Sequence, residues 1–124
     1  MTELFILMAG GAAGTIARYG LSNLMYRLFG AAFPYGTLAV NLIGCLLIGF
    51  LASLSENKFL LSSNMRLLLM IGFYGAFTTF STFILETANL IKDGEVLRAF
   101  MNVLLSVVVG FVVFKIGVIL GELL

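Results

Sequence analysis

The chain has 124 residues, 61% hydrophobic and 10% charged, with a mean hydropathy of +1.15 and a formal net charge of +1. Soluble domains carry about 25% charged residues, and no core of this size hides so much apolar surface, so an integral membrane protein is expected. Without a basic excess a nucleic-acid partner is excluded. One cysteine, Cys45, and no histidine leave a disulfide framework, a zinc site and Cys/His catalysis without ligands.

A helix needs about 20 residues to cross a hydrocarbon core of roughly 30 Å. Four segments can do so, at about 4–26, 34–54, 67–90 and 98–123, with short connections, which predicts a single four-helix transmembrane domain over residues 1–124. Their continuously apolar runs favour helices over membrane strands, which alternate in polarity. The first span lacks the basic start of a signal peptide, since Glu3 is the only charge before Arg18, and reads as a membrane helix. Gly10-x-x-x-Gly14 puts two glycines on one face, where backbones can approach closely. Arg18 lies inside the span. A charge there faces water or a partner; it either concentrates anions in a vestibule or snorkels as an interfacial anchor.

Pro34 stands at the start of the second span, as helix-start geometry allows. Asn41 sits near its middle, where an amide either donates to an anion or bonds across to another helix.

The third span has no charge from Leu67 to Leu85 and contains Gly72-Phe-Tyr-Gly-Ala-Phe-Thr-Thr-Phe-Ser-Thr-Phe83. Lipid cannot hydrogen-bond a hydroxyl, so these side chains must face protein, a cavity or a solute. Gly72, Gly75 and Thr78-Thr79 are expected to weaken the helix near mid-membrane. A break would free carbonyls for a cation and amides for an anion; the alternative is an intact helix with its glycines on a packing face. Phe80 and Phe83, three apart, share a helical face. Their ring edges are positive and suit an anion, their faces suit a cation, and simple packing is the other reading. Thr79, Thr82 and Glu86 follow an adjacent stripe.

Asp93-Gly94 marks the turn before the fourth span. On that span Asn102 and Ser106 share a face with Gly110, either extending a polar path or bonding back to their own helix. Gly117-x-x-x-Gly121 is a second packing face. Orientation follows Lys/Arg asymmetry, yet Lys58 and Arg66 on one side face Arg27, Lys92 and Arg98 on the other. So small a bias fits insertion in both directions, hence an antiparallel homodimer, as well as a single orientation with weak signals. Four thin helices make a poor pore, so conduction would favour a homo-oligomer. No paired carboxylates or metal-ligand spacing stand in the spans, and Gly10–Gly14 lacks the strand and lysine of a phosphate loop, so no enzyme is expected.

With these residues assembled, the chain resembles the Fluc (CrcB) fluoride channels over essentially its whole length. The resemblance is carried by Gly10-Gly11-x-x-Gly14 with Arg18-Tyr19, by Gly36-Thr37-Leu38-x-Val40-Asn41-x-x-Gly44, and by Gly72-x-x-Gly75-x-x-Thr78-Thr79-Phe80-Ser81-Thr82-Phe83. Ala76 departs from it where the family usually has glycine, though the backbone carbonyl is kept. The resemblance implies an all-α, dual-topology antiparallel homodimer with a broken third helix and two fluoride pores in the bacterial inner membrane. It implies a pore lined by Phe80, Phe83, Asn41, Ser81, Thr82 and Ser106, with Arg18 in the vestibule. It also implies a structural sodium ion at the dimer interface, held by the backbone carbonyls of Gly75 and Thr78. Passive export of fluoride would protect the cell, because HF enters neutral, dissociates inside and leaves the anion trapped.

The main rival is a small dual-topology multidrug or cation exporter, also built of four short helices. It calls for a membrane-embedded glutamate in the first span and aromatic cages rich in Trp. Here Glu3 is terminal and Trp is absent. A purely structural membrane subunit would explain the glycines but not the run of hydroxyls and phenylalanines.

Overall fold

Apolar periodicity without interruption yields four helices long and apolar enough to cross a membrane: Thr2–Phe29, Tyr35–Glu56, Ser63–Lys92 and Val96–Glu122. They are seen in a computed structural model that describes residues 1–56 and 60–124. No strand occurs among the described residues. The helices outrun most of the predicted bounds by a few residues. Ser62 shows why at the third: its hydroxyl accepts the Met65 N–H at 3.2 Å, and this cap starts the helix at Ser63 rather than 67. Arg27, Arg66, Lys92 and Arg98, read as flanking charges, therefore lie in end turns of the helices. Lys58 lies outside the described residues.

The connections are set by local chemistry. Gly94, at φ 81°, takes the left-handed conformation that ends a helix. The Glu95 N–H reaches the Leu90 carbonyl at 2.7 Å and the Gly94 N–H the Ile91 carbonyl at 3.0 Å, which is the pair of bonds of a Schellman motif. Pro34 precedes the second helix, and its carbonyl accepts the Leu38 N–H at 3.1 Å. Arg98 pairs with Glu95 at 2.8 Å and donates to the Ala32 carbonyl at 3.4 Å, tying two connections together at one end of the bundle.

Small residues set the packing. The first helix lies against the third, with Gly10 on Leu68 and Gly72 and Gly14 on Phe73. The fourth lies against the second, with Gly117 on Leu46 and Phe50 and Gly121 on Phe50 and Ser53. Both glycine pairs thus meet neighbouring backbone, as their spacing predicts. Two stretches, Leu67–Phe73 and Leu105–Val109, are wound wider as π-helix, a form frequent at functional sites.

The third helix is interrupted, but not at its glycines. Gly72 and Gly75 are helical, and Gly72 serves the close approach to Gly10. Regular winding stops after Phe77 and resumes at Ser81, so the expected break falls on Thr78, Thr79 and Phe80.

Candidate functional site

Backbone groups at membrane depth must find partners within the protein, and the break shows where they go. Thr78 is extended, at φ −92° and ψ 160°. Its N–H and its hydroxyl both donate to the Tyr74 carbonyl, each at 3.1 Å. The Thr79 N–H, which an unbroken helix would give to the Gly75 carbonyl, donates to Asn41 Oδ1 at 2.9 Å. The Thr79 carbonyl accepts from Asn41 Nδ2 at 2.8 Å. The Thr82 N–H, which would otherwise reach the Thr78 carbonyl, donates to Thr79 Oγ1 at 3.3 Å. Two side chains have replaced two helical acceptors, and the carbonyls displaced are those of Gly75 and Thr78. Asn41 therefore bonds across to another helix, one of its two readings, and keeps one Nδ2 hydrogen beyond the bond to Thr79.

An open concavity of about 380 Å³ is lined here by Asn41, Cys45, Tyr74, Gly75, Thr78, Thr79 and Phe80. Nothing lies within 4 Å of a methyl built on Gly75, and Phe80 is 73% exposed. Phe83 is 7% exposed, with its ring centroid 5.8 Å from that of Phe80 and the planes tilted by 49°. The two phenylalanines do pair, one in the fold and one on its open face.

A second cavity, of about 330 Å³, holds Arg18, Thr37, Thr79, Thr82 and Glu86. It confirms the stripe of Thr79, Thr82 and Glu86 and puts the half-buried Arg18 beside it. Thr79 lines both cavities. Glu86 Oε2 accepts from Tyr26 Oη at 2.9 Å, while Oε1 is buried without a partner. Tyr26 and Glu86 also border a larger recess of about 570 Å³ that reaches Asn89 and Arg98. The one ion pair among the described residues joins Arg98 to Glu95, so Arg18 is not in one.

Ser81 is exposed and Ser106 lies on the wide turn of the fourth helix; neither lines the first two cavities. The Ser106 hydroxyl is buried with no partner. Asn102 follows neither of its expected readings. Buried to 1% exposure, it crosses to the third helix and donates to Thr87 Oγ1 at 2.9 Å, and Thr87 in turn donates to the Phe83 carbonyl at 2.7 Å. Thr87 and Tyr26 carry no signal in their own segments. The capping role of Thr79 was available in its place three residues before Thr82, a common capping spacing.

Residues 5–118 match the family described as CrcB-like protein, Camphor Resistance (CrcB). The whole chain is 46% identical to the fluoride-specific ion channel FluC of Dehalococcoides mccartyi, covering 95% of that protein. It is also 46% identical to FluC of Geobacter sp. strain M21 and 45% identical to that of Geotalea uraniireducens, in both cases over 100% of each chain. A match that spans nearly every residue of the four helices, the broken third one included, shows that the chain belongs to the CrcB-like family.

Proposed function

We propose that this chain is a fluoride-selective channel of the bacterial inner membrane, passing the anion out of the cell down its electrochemical gradient. The observation that carries the reading is the break at Thr78–Phe80, where a polar backbone is held open at membrane depth beside the Phe80–Phe83 pair. Relatives matched from end to end are named for fluoride. Fluoride is small and strongly hydrated, so a selective pore must replace its water with donors. The free Nδ2 hydrogen of Asn41, the hydroxyls of Ser81, Thr82 and Ser106 and the ring edges of Phe80 and Phe83 supply such donors. The unpartnered Ser106 hydroxyl suits this role, because a buried hydroxyl without a bond is costly unless something else satisfies it. Arg18, in the cavity with Thr82, would draw anions to the mouth.

The functional unit is a homodimer of antiparallel copies with two pores. Its support is the open face at Gly75 and Phe80, which a single copy leaves uncovered. A structural sodium ion belongs to the same face. The freed carbonyls of Gly75 and Thr78 fit it, being hard oxygen donors stripped of their helical partners. When bound, the ion supplies a fixed positive charge and joins the backbones it touches.

The test is efflux from liposomes reconstituted with the purified protein and loaded with fluoride or chloride. Fluoride leaves rapidly and chloride is retained. Equal release of both anions overturns the selectivity; release of neither overturns the channel.

A further inference from the structure

Asn41 has two polar atoms, and both are spent on the backbone of one residue, Thr79. Its Oδ1 takes the Thr79 N–H at 2.9 Å and its Nδ2 gives a hydrogen to the Thr79 carbonyl at 2.8 Å. A residue needed only to greet a passing anion would use its amide hydrogens; an acceptor oxygen is of no use to fluoride. The occupied Oδ1 therefore calls for a different account, and the geometry supplies one. In a continuous helix the Thr79 N–H would belong to the Gly75 carbonyl. By holding that N–H, Asn41 keeps the Gly75 carbonyl without an intrahelical donor. The second helix is shaped for this hold: Gly44, one turn further on, lies directly against the Thr78 methyl, so a side chain there would push the helix away from the break.

We propose that Asn41 is a positioning residue for the cation site: by holding the Thr79 N–H it leaves the Gly75 carbonyl free for sodium, and by fixing Thr79 it keeps that residue's hydroxyl on the Thr82 N–H, which frees the Thr78 carbonyl. This rests on the sodium reading given above. It assigns to Asn41 a role separate from donating to fluoride and makes the hydrogen bond from the Thr79 N–H the determinant of cation affinity. Residues that orient ligands from one bond away typically change metal affinity by ~10–100-fold when removed.

The test measures sodium binding without measuring conduction. Purified wild-type protein and Asn41→Ala are unfolded thermally over a series of sodium chloride concentrations, with N-methylglucamine chloride holding the ionic strength constant. In the wild type the unfolding temperature rises with sodium. In Asn41→Ala the sodium concentration giving half of that rise increases by ~10–100-fold. Asn102→Ala loses a buried bond between helices elsewhere but leaves the Thr79 backbone held, so its sodium midpoint stays at the wild-type value. A wild type indifferent to sodium overturns the sodium reading and this inference with it. A sodium-responsive wild type with an unshifted Asn41→Ala overturns the inference alone. Should Asn41→Ala fail to fold, hydrogen exchange of the wild type decides. The Thr79 amide exchanges slowly if Asn41 holds it, and exchange at the rate of the connecting loops overturns the proposal.

Discussion

Gly10-Gly11-Ala12-Ala13-Gly14 contains three glycines that look alike in sequence and differ sharply in the fold. A methyl on Gly14 would run into the Phe73 carbonyl oxygen and would lie 3.1 Å from the Phe73 carbonyl carbon and from Ala76 Cβ, whereas nothing lies within 4 Å of one on Gly11. Either alanine gains about 0.5–1 kcal/mol of helix propensity. Only Gly14→Ala meets neighbouring backbone, which cannot rotate away, so the first helix must step back from the third. Overpacking of that kind costs about 1–3 kcal/mol. The propensity gain is common to both variants, so their difference isolates the steric cost. Gly14→Ala should be the less stable by about 1–3 kcal/mol, or roughly 5–150-fold in the folding equilibrium. Gly20→Ala, also with open space around it, should behave like Gly11→Ala. Reversible unfolding of the three variants in mixed micelles reads this directly. Stabilities for Gly11→Ala and Gly14→Ala that agree within about 0.5 kcal/mol would refute the packing argument.

Other expectations are simpler to read. Phe80→Ile should abolish most fluoride flux while the purified protein still runs as the dimer on size exclusion, because the ring makes little contact within its own copy. Phe83→Ile should reduce flux and also cost up to about 1.5 kcal/mol of stability, since its ring is buried; wild-type flux in both would demote the pair to packing. Asn102→Leu removes the bond to Thr87 and should destabilise by about 0.6–1.5 kcal/mol, checked by the same unfolding measurement, and no change would mean that the bond does not hold the two helices. Gly94→Ala forces a methyl into a left-handed backbone and should cost about 1–2 kcal/mol; a neutral result would show that the turn relaxes.

Hydropathy made the four spans legible, because 20 apolar residues in a row have few other fates in water. Paired glycines at helical spacing made the two packing faces legible as well. The break was legible at Thr78-Thr79, where it falls, but not in the glycines expected to share it. Low helix propensity points to Gly72 and Gly75 as much as to Thr78-Thr79, yet propensity is measured where water competes for the backbone. At membrane depth that competitor is missing, so both glycines stay helical. The helix parts instead where side-chain groups stand in for carbonyls, at Asn41 Oδ1 and Thr79 Oγ1. Those partnerships bring together residues up to 38 apart, and Tyr26–Glu86 joins residues 60 apart. No local pattern reports such distances, which is why the sequence does not mark Tyr26 or Thr87 and why it offers for Asn102 only a polar path or a bond to its own helix. The Asp93-Gly94 turn, by contrast, is written entirely within its own few residues, and the structure has it there.

The order of the polar contacts along the chain bears on how the protein is made. Synthesis delivers the helices from the N-terminus onward, so Asn41 is already in the membrane when Thr79 emerges, and the break meets its partner on arrival. Thr87 has no such reception, because its partner Asn102 lies on the last helix. Until that helix enters, Thr87 can bond only to its own turn, through the Phe83 carbonyl. A chain truncated before residue 96 would therefore keep the partners of the break, while on its third helix the Thr87 hydroxyl oxygen would lack its donor from Asn102.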